Sequence, residues 1–450
     1  NLREMALHAV DPANPEAVKF VPEWGRNRMR GMLESRPDWC ISRQRAWGLP
    51  IPAFTTPEGA TVMTAASVRA VARMVREKGS DAWFTMTSDQ LLEYYEETAD
   101  PHLPKGMVAA FARADRAKLR KGGDILDVWF ESGTSWNAVL RERKLGYPAD
   151  LYLEGSDQHR GWFQSSLLPA LGATGQPPFR TLLTHGFMVD KHGKKMSKSL
   201  GNDIKVEDLL KDHGADVCRW WVASLAYEND VKVDMEFFAL AGESYRKVRN
   251  TLRFMLSNLD DFSADRLVQS YEPTSLEAWV LSEFDSLSRD VQRAYEEHDY
   301  RAAHAKLYDF CSQTLSATYL AAVKDRLYCD KADSPRRRRT QSALWQMTDG
   351  LCRLMAPILA HTADEAWRAL TRAGATDEAC VHTQTFLPPT TAKPDPAWAD
   401  AMKALDAAGK ALEDSKAALN LQNPLDAGVH LPAGTGSLSK LDPVDLADVL

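Results

Sequence analysis

The 450-residue sequence lacks the marks of several protein classes. No apolar run approaches the roughly 18 residues of a membrane span, and the most apolar stretch, around 220–226, is short, so no membrane partner is expected. Six cysteines (Cys40, Cys218, Cys311, Cys329, Cys352, Cys380) are scattered without a C-x-x-C pair. That argues against a zinc ribbon or a disulfide framework, fits a reducing cytoplasm, and leaves the thiols as small buried hydrophobes. No cleavable signal is read at the start, and no internal repeat is found. The net charge of −7 disfavours indiscriminate nucleic-acid binding, although a protein that grips RNA at chosen places needs only local positive patches.

What is present is an apolar fraction of 44% and a charged fraction of 26%, those of a soluble globular protein. The length implies two to four domains. Residues 1–36, with Pro22-Glu23-Trp24-Gly25 and the basic Arg26, Arg28 and Arg30, hold too little apolar content for a domain. Residues 37–54 alternate and end in prolines, as a strand running into a turn would. Residues 61–123 show helical periodicity, with Val68, Val71, Val75 and Leu91, Leu92, Tyr95 on repeating faces, and predict an inserted helical subdomain. Short apolar runs at 124–130, 150–153 and 181–184, each followed by polar or glycine-rich residues, predict an α/β sheet whose strand-end loops carry the site. Beyond Gly214 the pattern is helical almost throughout, at 237–262, 275–297, 300–326, 336–355 and 361–373. A proline-rich linker at 388–396 then precedes a charged helix at 398–419 and a strand near 427–431.

One segment stands out: Gly193-Lys194-Lys195-Met196-Ser197-Lys198-Ser199-Leu200-Gly201-Asn202, between a predicted strand and a predicted helix. Such a loop can close ammonium and hydroxyl groups around a polyphosphate and stabilise charge developing on leaving pyrophosphate. A solvated lysine loop is the bland alternative, but chance yields the Lys-Met-Ser-Lys-Ser string in about one chain in several thousand of this length. A second constellation is Leu153-Glu154-Gly155-Ser156-Asp157-Gln158-His159-Arg160-Gly161-Trp162-Phe163. Here a strand ends, Gly155 admits a ligand close to the backbone, and Ser156 or Asp157 can cap the next helix. Gln158, Gly161, Trp162 and Ser165 share a helical face that can hold a small apolar amino acid and its ammonium group, while Glu154 and Asp157 can accept bonds from ribose hydroxyls. The alternative is a helix cap beside a core tryptophan.

Together the two strings resemble isoleucyl-tRNA synthetase, a class I aminoacyl-tRNA synthetase, whose valyl and leucyl relatives share the lysine loop but not the Glu154–Trp162 string. Trp39-Cys40-Ile41-Ser42-Arg43-Gln44-Arg45 resembles the return into the catalytic domain after the editing insertion. Asp127-Val128-Trp129-Phe130-Glu131-Ser132-Gly133 resembles the family's strand bearing a pocket tryptophan. Residues 244–254 resemble the first helix after the catalytic domain.

The resemblance implies a fold of α/β plus all-α: the C-terminal half of a Rossmann-like nucleotide-binding domain, followed by a helical anticodon-binding bundle. It divides the chain into the edge of the editing insertion (1–36), the catalytic half-domain (37–235, with an insertion at about 57–123), a stem-contact and anticodon-binding domain (236–390) and the start of a junction region (391–450). It also implies that Glu154, Gly155, Asp157 and Gln158 contact the aminoacyl-adenylate. Trp129 and Trp162 would wall the isoleucine pocket with Gln158, and Lys195, Ser197 and Lys198 would bind ATP, with Lys195 and Lys198 catalytic. The implied partners are ATP with Mg2+, L-isoleucine and tRNA(Ile), and the expected form is a monomer. No metal site is expected in the chain.

The sequence departs from the family's pattern in four ways. The His-x-Gly-His motif that polarises ATP is absent, none of the 11 histidines having that spacing, and so are the body of the editing domain and a C-terminal cysteine zinc cluster. Glu131 stands where an Asp is common. The chain is therefore expected to be a C-terminal portion with little adenylate-forming activity alone. For RNA, Arg246, Arg249 and Arg253 fall on one helix face, and Arg336, Arg337 and their neighbours make a second basic cluster; either could neutralise phosphates or be a solvated face. Valyl or leucyl specificity, and a non-catalytic tRNA-binding module, are the rival readings.

Overall fold

The computed structural model describes residues 1–194, 196, 202, 204–374, 378–416, 428 and 436–450. They form two compact units, Asn1–Gly186 and Phe187–Leu450.

The first unit is built on a parallel sheet in which Phe179–His185 is central, flanked by Lys19–Val21 and Ala149–Gly155. Leu182 and Leu183 of the central strand are at most 1% exposed, as expected where a parallel sheet is covered on its faces. The crossover between the two long strands is the Trp162–Thr174 helix. Its Phe163, Leu167 and Leu171 pack with Phe20, Met29, Leu33, Tyr152, Phe179 and Leu182 into one core. The apolar runs at 150–153 and 181–184 are thus the strands they predict.

The run at 124–130 is not. It makes only a two-residue strand, Ile125–Leu126, antiparallel to Ser42–Arg43. Asp127 then accepts the Trp129 N–H at 2.9 Å and starts a short helix, Val128–Gly133. An N-terminal carboxylate cap wins over the apolar pattern, so Trp129 sits on a helix. Most of 37–54 is irregular.

The segment expected to be an all-helical insertion contains the Ala65–Lys78 helix, with a Thr64/Ser67 capping box, and several single-turn helices. Its strands Thr61–Val62 and Arg120–Lys121 also pair antiparallel with Phe54–Thr55, just before the segment. Strands of two residues are too short to show a period of two. Phe54, Trp83, Leu91, Tyr95 and Phe111 form its core. The buried Arg116 rivets it by donating to the carbonyls of Phe111, Leu92 and Tyr95 at 2.7–2.8 Å.

The second unit opens with Met188–Val189 paired in parallel with Val231–Lys232. Helices follow: Met235–Ser257, Leu276–Glu296, Tyr300–Asp309, Pro335–Met355, Ala360–Thr371 and Ala397–Lys416. One apolar core runs through them, from Trp220 and Leu252 to Leu281, Met347 and Trp398. The helix expected over 300–326 is interrupted by a wider-turned stretch, Phe310–Tyr319. There the Cys311 carbonyl takes the Ser316 hydroxyl at 2.8 Å and the Thr251 hydroxyl at 3.4 Å. Side chains have replaced part of the backbone ladder. The strand expected near 427–431 lies outside the described residues, save Gly428.

A charged cluster inside this unit joins four helices. Arg326, fully buried, contacts Glu277 at 2.9 Å, Asp445 at 2.9 Å and Asp448 at 2.6 Å. Arg339 adds bonds to Glu277 and Asp445 at 2.6 and 2.8 Å. Asp445, on the Pro443–Val449 helix, also accepts the Leu276 N–H at 2.9 Å. Buried charges persist only when each has partners, as here.

Candidate functional site

The strand Ala149–Gly155 brings Glu154 and Gly155 to its C-terminal end, in register with Thr184 and His185. One turn of tight helix, Ser156–His159, carries Asp157 and Gln158 away from it. The expected Ser156 or Asp157 cap does not form. Instead the Gln158 Oε1 accepts the Trp162 N–H at 2.8 Å, while its Nε2 donates to Asp157 at 3.2 Å. A methyl group at Gly161 would stand 2.5 Å from Gln158 Oε1 and 3.5 Å from the Trp129 ring. The bare glycine is what lets Gln158 and the Trp129 indole meet there. Trp129 is 44% exposed, which leaves apolar surface open.

Trp162 faces another way. Its Nε1 donates to the Ser132 carbonyl at 2.9 Å, and its ring lies on Tyr152. The helices bearing the two tryptophans touch at Gly133, where an added Cβ would come within 2.0 Å of the Ser165 carbonyl. Asp127 holds the Trp129 helix from below: it accepts the Trp39 Nε1–H at 3.1 Å and pairs with Arg43. Glu131, the longer carboxylate, accepts the Leu49 N–H at 2.6 Å. His159 is fully buried at the base of the site, its Nδ1 3.1 Å from the Ser156 carbonyl, and burial pushes its pKa down. Trp129, Gln158, Gly161 and Trp162 are therefore neighbours. Tyr152 and Asp127 are the residues that the sequence did not single out; the aspartate directly before an apolar run was the available signal for the latter.

In the second unit, Lys195, Ser197 and Lys198 lie outside the described residues. The approach to them is a tight turn. Gly193, at φ +80°, donates its N–H to the Asp190 carbonyl at 2.8 Å, and Asp190 N–H donates to the Lys194 carbonyl at 2.8 Å. A non-glycine residue would strain that backbone. Lys191 reaches Asp234 at 4.0 Å.

Of the basic side chains, Arg246 and Arg253 are exposed on the Met235–Ser257 helix. Arg249 makes a two-pronged pair with Glu365 at 2.8 and 3.0 Å, whose hydrogen bonds raise the guanidinium pKa further. Arg249 and Arg253 line a groove of about 840 Å³ with Asn250, Trp345, Glu365 and Arg372. The second cluster turns inward. Arg336 binds Asp330 at 3.1 and 3.2 Å, and Arg337 binds Asp261 at 2.6 and 3.2 Å. The arginine run at 336–339 is largely neutralised by carboxylates of its own chain.

Among the described residues, no helix is long and apolar enough to cross a membrane. Residues 1–234 match the family described as tRNA synthetases class I (I, L, M and V), and residues 277–431 match the anticodon-binding domain of tRNA ligase. The isoleucine–tRNA ligase of Geobacter sulfurreducens is 41% identical over 448 residues, covering 98% of this chain and 46% of its own length. That of Desulforudis audaxviator is 44% identical over 371 residues, covering 81% of this chain and 38% of its own. The chain thus spans less than half the length of these relatives. A solved ternary complex of the agnB2 LeuRS of Agrobacterium radiobacter K84 with tRNA and LeuAMS shares the fold at a TM-score of 0.55 and 18% identity, over 78% of this chain and 42% of that one. Since the first family match runs through more than half of its residues, the chain belongs to the class I tRNA synthetases.

Proposed function

We propose that the chain is the C-terminal portion of an isoleucine–tRNA ligase. The whole enzyme would join L-isoleucine to ATP, with release of pyrophosphate, and pass the acyl group from isoleucyl-AMP to the 3′ end of tRNA(Ile). What carries the reading is the strand-end string Glu154–Trp162, where Gln158 and an open indole meet across Gly161, in a chain 41–44% identical to proteins named isoleucine–tRNA ligase.

In this reading Glu154, Gly155 and Asp157 take the adenylate's ribose and Gln158 its ammonium group. Trp129 and Trp162 shape the apolar pocket. Lys195, Ser197 and Lys198 bind ATP delivered with Mg2+, and Lys195 and Lys198 stabilise the departing pyrophosphate. No covalent enzyme intermediate is needed, so catalysis rests on positioning and electrostatics. The parallel sheet with Ala149–Gly155 at its edge supports a Rossmann-like half-domain; we assign it to 37–235 and read 1–36 as the edge of an editing insertion, whose Lys19–Val21 strand joins that same sheet. The helical 236–390 region would meet tRNA through Arg246, Arg249 and Arg253, with Arg336 and Arg337 in support, and 391–450 would begin a junction region. The enzyme is taken as monomeric and cytoplasmic.

Calorimetric titration of the 450-residue chain with sulfamoyl analogues of isoleucyl- and valyl-adenylate tests the reading. The isoleucyl analogue should bind at least about tenfold more tightly, the discrimination one methylene in an apolar pocket provides. Equal binding, or tRNA binding without affinity for either analogue, would overturn it. Pyrophosphate exchange by the chain alone should be at background, and normal turnover would refute that part.

A further inference from the structure

The three parallel strands of the first unit end on one side of the sheet. Val21 is in register with Leu183 and Gly155 with His185, so the stretch after Lys19–Val21 and the string at 154–162 leave the sheet at the same end, on opposite flanks of Phe179–His185. Adjacent strands stand about 4.8 Å apart, which puts the two flanks roughly 10 Å from each other, the span of one nucleoside. The carboxyl ends of parallel strands are where ligands gather. One flank carries the Glu154–Trp162 string. On the other the chain turns into the Trp24–Glu34 helix, to which the proposed pocket assigns no task.

His159 joins the two flanks. Its Nε2 stands 3.5 Å from the Thr184 hydroxyl on the central strand, and a Cβ on Gly25 would come within 3.1 Å of that same nitrogen. The bare Gly25 is what lets the imidazole sit under the helix. The far end of the helix is pinned as well: Arg36 Nη1 donates to Gln164 Oε1 at 2.6 Å, and Gln164 Nε2 to the His159 carbonyl at 2.7 Å. The Trp24 indole meets the imidazole with ring centroids 5.7 Å apart, yet stays 41% exposed. Arg28 lies one helical turn on, along the same face. Burial, and after it the charge of Arg28, lower the His159 pKa, which places the guanidinium near that ring. The neighbouring arginines are engaged: Arg26 pairs with Glu23 and donates to the Val10 carbonyl at 2.9 Å, and Arg30 pairs with Glu34 at 3.0 Å. Among the described residues, no carboxylate pairs with the exposed Arg28.

We propose that Trp24 and Arg28 hold the unpaired 3′ end of tRNA: the indole stacks the terminal adenosine and the guanidinium takes a phosphate of the same strand. The proposal rests on the reading of Glu154–Trp162 as the adenylate site and adds where the acceptor of the acyl group lies. An open indole is a platform for any unpaired base, and an unpaired arginine one helical turn away supplies the charge that a phosphate needs. The nearest carboxylate on the helix, Glu23, is already paired with Arg26 and so repels the incoming strand little. A base stacked on Trp24 leaves the Glu154 flank to the adenylate's own ribose, so the two nucleosides do not compete for one place. Both are held against a single rigid base, since His159 packs beneath the helix and belongs to the string.

The test uses a stem-loop RNA that ends in the unpaired 3′ nucleotides of tRNA, with 2-aminopurine as its last base, and a blunt-ended stem-loop as control. Both are titrated against the 450-residue chain and against Trp24→Ala, Trp24→Phe and Arg28→Gln over a salt series, alongside the isoleucyl sulfamoyl analogue. The overhanging RNA should bind the unaltered chain about tenfold more tightly than the blunt one, and its 2-aminopurine should be quenched by the indole. Trp24→Ala should remove both the preference and the quenching, while Trp24→Phe should keep the affinity to within about threefold. Arg28→Gln should lower the salt dependence by about one counterion and leave the quenching in place. The isoleucyl analogue should bind all of these proteins alike, which also shows that the variants are folded. Equal affinity for the two RNAs, or quenching that survives in Trp24→Ala, would overturn the proposal while the adenylate reading stands. So would a Trp24→Ala variant that loses the isoleucyl analogue as much as the RNA, because the indole would then belong to the adenylate's own site. If the unaltered chain does not bind the analogue, the adenylate reading fails, and the proposal with it.

Discussion

The indole of Trp162 lies flat on the phenol ring of Tyr152, the centroids 4.2 Å apart and the planes within 5° of parallel. The contact joins the first residue of the crossover helix to the strand that ends at the site, and the indole N–H bond to Ser132 ties in the Trp129 helix as well. Trp162→Phe should keep the stack and lose the hydrogen bond, at about 1 kcal/mol, whereas Trp162→Ala should cost about 3 kcal/mol. Urea unfolding of the two variants checks the order. Equal losses would mean that the stack contributes nothing.

Gly133 should tolerate no side chain. An alanine there drives a methyl group into the Ser165 backbone, and Gly133→Ala should destabilise the first unit by about 3 kcal/mol. Gly106→Ala, where a methyl meets nothing within 4 Å, is the control and should change stability by less than about 1 kcal/mol. Denaturant midpoints of the pair check this, and equal midpoints would contradict a close helix contact at Gly133.

His304 packs against Trp220 with centroids 4.0 Å apart, and burial lowers its pKa to about 4. The native state therefore resists a proton that the unfolded chain accepts near pH 6.5. Stability should be full above that value and fall as the pH drops from about 6.5 toward 4, by on the order of 2–3 kcal/mol. His304→Phe should flatten this part of the profile. An unaltered slope between pH 7 and 5 would assign the effect to other groups.

Replacing Arg326 by Met takes one of two guanidinium partners, Arg339 being the other, from the buried Glu277 and Asp445, so the loss should reach about 3 kcal/mol. Removing the exposed Arg30 from its pair with Glu34 should cost less than about 1 kcal/mol. Guanidinium unfolding separates the two cases.

For RNA, Arg246→Ala and Arg253→Ala should each reduce the salt dependence of tRNA binding by about one counterion. Arg336→Ala and Arg337→Ala should change it less, because Asp330 and Asp261 already neutralise them. Filter binding across a salt series measures this, and equal slopes for all four would contradict the ranking.

Much of the fold was legible where a local pattern decides it. The long strands at Ala149–Gly155 and Phe179–His185 announce themselves as apolar runs, and the bundle helices by their period. Legibility failed where the decisive partner is distant in sequence or the element is very short. Nothing near 336–339 reveals that Asp261, Glu277 and Asp445 will converge on it. The two-residue strands at 54–55, 61–62 and 120–121 are set by pairing rather than by pattern. At the site, the string at 154–162 stood out in the sequence, but not that the Gln158 side chain accepts the Trp162 N–H, nor that Asp190 accepts bonds from Lys194 and Asn202.

The Leu276 N–H and the Asp445 carboxylate that caps it are 169 residues apart. At ribosomal rates of about 5–20 residues per second, roughly ten to thirty seconds pass between the emergence of one and the other. During that interval Arg326 and Glu277 must stay hydrated or pair provisionally. The bundle can then close over its charges only when Asp445 has left the exit tunnel, which couples its completion to a helix made long after Leu276.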